Sequence, residues 1–319
     1  MIKILVQVCG DHWINPTHVS QQLIETSQEK RIVLDLQTEG PSLEALGILQ
    51  LVTQHCQEIN RPLKDVYIMQ WPNAVESVPF QHIEPSKLSH FFWLSNRYSI
   101  DEPPAPTHQY RFGLFVGRKT YSRAAMLKWA VQHSSKQFLV SCMDSIAPPP
   151  WQTRSPGHNL ETASDWLSDD FYSWWPQCGI GSLDQHSVQQ QYQPEYNTNR
   201  DLLTHYGKFD IELVAETYTQ GTTFFPTEKT IRPIVGLKPF VIYGPMDHLK
   251  NLKKLGFKTY NDFWDESYDQ CQGVERWKKI QQVINQILEI STADVLACAE
   301  VAEYNKQQLQ TLIQKHRPQ

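Results

Sequence analysis

The chain has 319 residues, 40% hydrophobic and 20% charged, which is enough apolar material for two cores of ordinary size and too much for a disordered polymer. Its formal net charge is −5, from 29 Lys and Arg against 34 Asp and Glu, so no basic surface argues for nucleic acid. No apolar run approaches the length of a membrane span, and the opening Met1-Ile2-Lys3-Ile4-Leu5-Val6 reads as a strand rather than a signal peptide, so a cytoplasmic location is expected, with peripheral membrane contact left open.

From the N-terminus, Lys3–Gly10, Arg31–Leu36, Val66–Gln70 and Phe91–Ser95 carry the short apolar runs of strands. Helical spacing at His18–Thr26 and Leu43–Ile59 falls between them. Such alternation predicts a small parallel-sheet domain over residues 1–106, closed by the Pro-rich hinge Asp101-Glu102-Pro103-Pro104-Ala105-Pro106.

A second domain, 107–282, begins with the apolar strand Phe112-Gly113-Leu114-Phe115-Val116-Gly117. Arg118-Lys119-Thr120-Tyr121-Ser122-Arg123 follows, then an amphipathic helix through Met126, Leu127, Trp129 and Ala130. A cation-rich strand-to-helix turn suits any Rossmann-like unit, but this loop lacks the G-x-G-x-x-G spacing that lets backbone approach a dinucleotide pyrophosphate. Residues 146–200 lose periodicity and are rich in Trp, Tyr, Asp and Gln, including Asp165-Trp166 and Trp174-Trp175. Those aromatics either stack on sugar rings, with Trp174 as an acceptor contact, or anchor a long loop.

Phe209–Thr217 alternates acidic and apolar residues as a strand does, ending on Glu216 before a Gly-containing loop. Next comes Phe225-Pro226-Thr227-Glu228-Lys229-Thr230-Ile231-Arg232-Pro233. Thr227 is placed to N-cap a helix whose Lys229 and Arg232 lie three apart on one face, so both cations are expected to point the same way. A helix start with two cations favours an anion, and a diphosphate would be held well; the plainer reading is a solvated helix face. Pro239–Gly244 is a further buried strand, and Leu249–Gly256 a helix stopped by glycine, with a short strand at Phe257–Tyr260. Asp265 and Glu266 either bond sugar or ribose hydroxyls or cap the next helix. Residues 283–319 show helical spacing through Val283, Ile284, Ile287, Leu288, Val295 and Leu309.

The six cysteines are far apart without C-x-x-C, and the twelve histidines are scattered without H-E-x-x-H, so reduced, mostly buried thiols and no metal are expected.

Together, Phe112–Arg123, Glu216, Thr227-Glu228-Lys229, Pro239–Gly244, Gly256-Phe257-Lys258-Thr259-Tyr260 and Asp265-Glu266-Ser267-Tyr268 resemble the nucleotide-sugar domain of GT-B glycosyltransferases. The likeness is to the α1,3-fucosyltransferase type and its bacterial and viral relatives, over roughly residues 111–310. The resemblance implies an α/β fold of two Rossmann-like domains facing a cleft, with C-terminal helices packing back across it. It also implies inverting, metal-independent sugar transfer from a nucleotide-sugar, a GDP-sugar being one candidate, to a hydroxyl acceptor, with no further cofactor. Arg123, or Arg118 nearby, would contact the donor pyrophosphate, with Glu216, Thr227, Glu228, Lys229 and Arg232 completing the donor site. The chain departs from the family in carrying Thr217 where Asn is frequent, which loosens any assignment of guanosine or fucose. A general base from the N-terminal domain must reach the acceptor hydroxyl. Strand ends offer Asp11 or His12 and Asp35 or Glu39; Glu39 ranks first and Asp11 second, although a carboxylate in the Thr38–Ser42 turn also suits an N-cap. A non-catalytic carbohydrate- or nucleotide-binding protein of the same fold is the alternative. An epimerase would need a Gly-rich dinucleotide loop and a Tyr-x-x-x-Lys pair, and neither is evident.

Overall fold

The computed structural model describes residues 2–6, 8–9, 12–13, 16–29, 31–36, 43, 47–70, 81–83, 104–116, 121–134, 137–142, 202–217, 219, 221–222 and 224–316. The expected strand Phe91–Ser95 and the aromatic-rich stretch 146–200 lie outside them, as does the first half of the hinge.

A first sheet of four parallel strands, ordered β1-β4-β5-β6, holds β1 (Ile2–Leu5), β4 (Ile32–Leu36), β5 (Val66–Gln70) and β6 (Gln81–Ile83). Ile32, Val33 and Leu34 are fully buried, as an interior parallel strand covered on both faces requires. Helices α1 (Pro16–Glu25) and α2 (Ile48–Glu58) bring Val19, Leu23, Ile48, Val52 and Cys56, at spacings of four within each helix, into the same core. Arg61 Nη2 closes the carboxyl end of α1, donating to the carbonyls of Thr26, Ser27 and Glu29 at 3.0, 2.8 and 2.7 Å.

Three local expectations change here. The first strand ends at Leu5, and β2 (Val8–Cys9) pairs instead with β3 (His12–Trp13) as a short antiparallel ladder. Helix α2 begins at Ile48 rather than Leu43, because Gly47 precedes it at φ 73°, a left-handed turn that breaks the helical run. The sheet's fourth strand is Gln81-His82-Ile83, whose single apolar residue gives no apolar run to read.

A second sheet of four parallel strands is ordered β10-β9-β7-β8. Its strands are β7 (Tyr110–Val116), β8 (Phe138–Cys142), β9 (Phe209–Ala215) and β10 (Phe240–Tyr243). Helix α3 (Tyr121–Ser134) joins β7 to β8, α4 (Glu228–Val235) joins β9 to β10, and α5 (His248–Lys254) follows β10. The chain is thus mixed α/β with parallel sheets, consistent with Rossmann-like units.

Strand β9 is interior and buried along its whole length, so its acidic residues need internal partners. Asp210 meets His108 Nδ1 at 2.6 Å and Arg111 at 3.4 Å. Glu212 accepts from Arg232 and from the Tyr206 hydroxyl, and Arg232 also lies 5.2 Å over the Phe115 ring. The segment leading into β7 is tied to the same unit: Thr107 N donates to Gly207 O at 2.6 Å. A Cβ on Gly207 would sit 2.4 Å from Ala105 O, so the close approach of these backbones requires glycine.

Helices α6 (Gly273–Glu289), α7 (Thr292–Ala297) and α8 (Ala299–His316) complete the larger core through Trp277, Ile280, Ile284, Ile287, Val295 and Leu309. Trp129 stands edge-on to both Phe138 and Trp277, at 5.9 and 5.7 Å. A reciprocal Ser291–Asp294 capping box starts α7. The expected strand after Gly256 does not form. Instead, Asn305 Oδ1 accepts from Lys258 N at 2.8 Å and Glu266 Oε1 from Tyr260 N at 2.7 Å, so side chains take the place of a strand ladder. Cys56, Cys142, Cys271 and Cys298 are buried free thiols. Among the described residues no helix is long and apolar enough to cross a membrane.

Candidate functional site

In a parallel sheet every carboxyl strand end lies on one edge, and ligand-binding loops gather there. At this edge of the second sheet, the residue after β9 is Glu216, 1% exposed and saturated with donors. Its Oε1 accepts from Thr227 N (3.0 Å), Thr230 N (3.2 Å) and Thr230 Oγ1 (2.5 Å); its Oε2 accepts from Thr217 N (3.0 Å) and Thr227 Oγ1 (2.5 Å). Thr227 is the N-cap of α4, as expected, and its Oγ1 also accepts from Lys229 N at 3.3 Å. The anion at this helix start is therefore the chain's own carboxylate. Burial alone would raise the Glu216 carboxyl, but the Lys229 ammonium and the Thr227 and Thr230 hydroxyls outweigh it and hold the group below the usual carboxylate range.

The Lys229 ammonium sits at the mouth of this cluster. It donates to Thr217 Oγ1 at 3.0 Å, to Thr227 Oγ1 at 3.5 Å and to Glu228, with Lys229 and Glu228 side chains 11% and 30% exposed. Burial opposes ionisation of Glu228, yet that ammonium brings its carboxyl down to about 2. Arg123, the third residue of α3 and 2% exposed, reaches the same place from the neighbouring β7 turn. Its Nη2 donates to the carbonyls of Ala215 and Glu216 at 3.1 and 2.5 Å. Arg123 and Lys229 thus converge on residues 215–217. Arg232 does not join them: one turn further into the core, it pairs with Glu212. The two cations diverge because Glu212 and Glu216, four apart on one strand face, each claim one end of the helix.

Two groups at this edge carry no motif in the sequence. His248, the first residue of α5, is fully buried; its Nε2 lies 3.2 Å from Thr230 Oγ1, and its Nδ1 has no hydrogen-bond partner among the described residues. Since the Thr230 proton goes to Glu216, Nε2 is the protonated nitrogen. Burial pulls the imidazole down to about 4, so it is neutral near pH 7. Asp269 accepts from Leu249 N and Lys250 N at 3.0 and 3.1 Å, capping α5 from twenty residues away, and is paired with the fully buried Arg276 at 3.1 Å. Helical spacing marks Leu249 and Leu252 as core but says nothing of a cap supplied from beyond the next loop.

Of the two candidates for sugar contacts described here, Asp265 accepts from Ser267 N and Oγ, both at 2.8 Å, and so shapes its own turn. Glu266 turns inward to Thr259 Oγ1 at 2.6 Å and to Tyr260 N. Both are thus engaged within the chain, and Glu266, the N-cap residue of the 3-10 helix Ser267–Gln270, makes no side-chain capping bond to it. Asp35 is 8% exposed on β4 with Lys3 Nζ at 3.8 Å. Asp11, Glu39, Arg118 and Trp174 lie outside the described residues, as does the His12 side chain. Among the described residues no group of three or more His, Cys, Asp or Glu side chains is arranged to hold a metal. Compared with known proteins, the chain matches no family model, and no curated protein is significantly similar to it.

Proposed function

We propose that the chain is a GT-B-type glycosyltransferase that moves a sugar from a nucleotide-sugar to a hydroxyl acceptor, with inversion and without a metal. The observation that carries this reading is the convergence of Arg123 and Lys229, from two different βα turns, on the carboxyl end of β9. Cations so placed neutralise charge developing on a leaving diphosphate, the role a metal plays in other transferases. The acceptor oxygen attacks the anomeric carbon as the bond to the diphosphate breaks, and the acceptor proton passes to a carboxylate of the N-terminal part, Glu39 or, second, Asp11. That the two parallel sheets face one cleft belongs to this proposal.

Thermal-shift measurement against GDP, UDP, CMP and their sugars tests it. A true donor at 100 times its dissociation constant raises stability by about 2.7 kcal/mol. Lys229→Ala is expected to abolish that shift and to lower sugar transfer by orders of magnitude. The competing reading, a non-catalytic binding protein, gains from Arg123 and Arg232 being engaged by the chain itself; it predicts a carbohydrate-induced shift that Lys229→Ala leaves intact.

A further inference from the structure

Counting donors and acceptors at the mouth singles out one exchangeable contact. An ammonium has three N–H donors, and those of Lys229 go to Thr217, Thr227 and Glu228. Thr227 cannot yield: it is 4% exposed, and its own proton is committed to Glu216. Thr217 is held by its backbone N–H on Glu216 Oε2 at 3.0 Å. Glu216, with five donors on two oxygens, has no lone pair left for a newcomer. Glu228 is different. Its side chain is 30% exposed, and rotation about its own torsions carries the carboxylate into solvent without moving the backbone. Charge points the same way: Glu216 and Glu228 cancel Lys229 and Arg123, so an arriving polyanion meets no net attraction from these four groups until one carboxylate withdraws.

We propose that Glu228 is a built-in competitor for Lys229, holding the ammonium in the free chain and exchanging places with a phosphate group of the incoming ligand. The residue then sets how tightly this site takes phosphates and keeps isolated monoanions from occupying it. The inference rests on the nucleotide-sugar reading and states what regulates that same site.

The test uses the full chain, wild type against Glu228→Gln, Glu228→Ala and Lys229→Ala, titrated calorimetrically with inorganic pyrophosphate, GDP, UDP and the nucleosides guanosine and uridine. Each variant's own melting curve without ligand serves as its baseline. Both Glu228 variants are expected to bind pyrophosphate and the diphosphates about fivefold more tightly, the most that a partly exposed ion pair is worth. Affinity for the nucleosides stays unchanged, and Lys229→Ala loses the pyrophosphate site. Lys229-dependent binding that Glu228 variants leave equal or weaker overturns the exchange while sparing the phosphate site. If neither wild type nor the Glu228 variants bind any phosphate probe, the exchange and the transferase reading fall together.

Discussion

Glu216 organises the candidate site because a buried carboxylate is tolerable only when its lone pairs are filled, and two threonines of the next helix fill them. Thr230 links that carboxylate to His248, whose neutrality is enforced by burial. The unfolded chain takes up a proton at this imidazole near its ordinary 6.5, whereas the folded chain does so only near 4. Stability at His248 is therefore complete above pH 6.5 and falls with acid, by up to about 1.4 kcal/mol per pH unit, until the folded value is reached. Glutamine keeps an amide N–H where Nε2–H stood but has no such titration. Chemical denaturation of His248→Gln between pH 7 and pH 5 should accordingly show this part of the acid sensitivity removed; an unchanged slope would place the sensitivity elsewhere.

At the scale of elements, the helices that follow β9 and β10 both start on a carboxylate supplied from outside the helix: Glu216 for α4 and Asp269 for α5. Each satisfies backbone N–H groups that a helix start leaves without partners. Asp269 does so while neutralising buried Arg276, whose guanidinium also donates to Ile242 O at 3.1 Å and so ties α6 to β10. Removing the carboxylate strands a buried cation. Asp269→Asn is expected to cost roughly 3–5 kcal/mol in denaturant unfolding, and hydrogen exchange at the Leu249 and Lys250 amides should accelerate beyond the global change. A surface-level loss below about 1 kcal/mol would mean that Arg276 finds other partners.

For the molecule as a whole, the described apolar residues form two separate buried clusters, a smaller one around β4 and a larger one around β9 and the C-terminal helices. Two cores imply two unfolding units. Leu34→Ala and Leu213→Ala, both at fully buried positions, should each cost about 2–5 kcal/mol. Calorimetry should show each substitution lowering a different transition; one shared transition moved equally by both would show a single cooperative unit.

Periodicity and turn chemistry made the strands β4, β5, β7, β9 and β10 legible, along with the Thr227 cap and the C-terminal helices, because those signals are local. They failed at β6, where three residues with a single apolar side chain carry no pattern, and at Phe257–Tyr260, where Asn305 and Glu266 take bonds that a ladder would otherwise make. The sequence by itself also determined which charged residues collect at the end of β9, since Glu216, Glu228 and Lys229 flank one short loop. Only the tertiary structure decided their pairing. It brought Arg123 across from β7, sent Arg232 down to Glu212 and set His248 behind Thr230. Burying a charge costs more than any local preference supplies, so each ionised side chain goes to whichever partner the packed core leaves within reach.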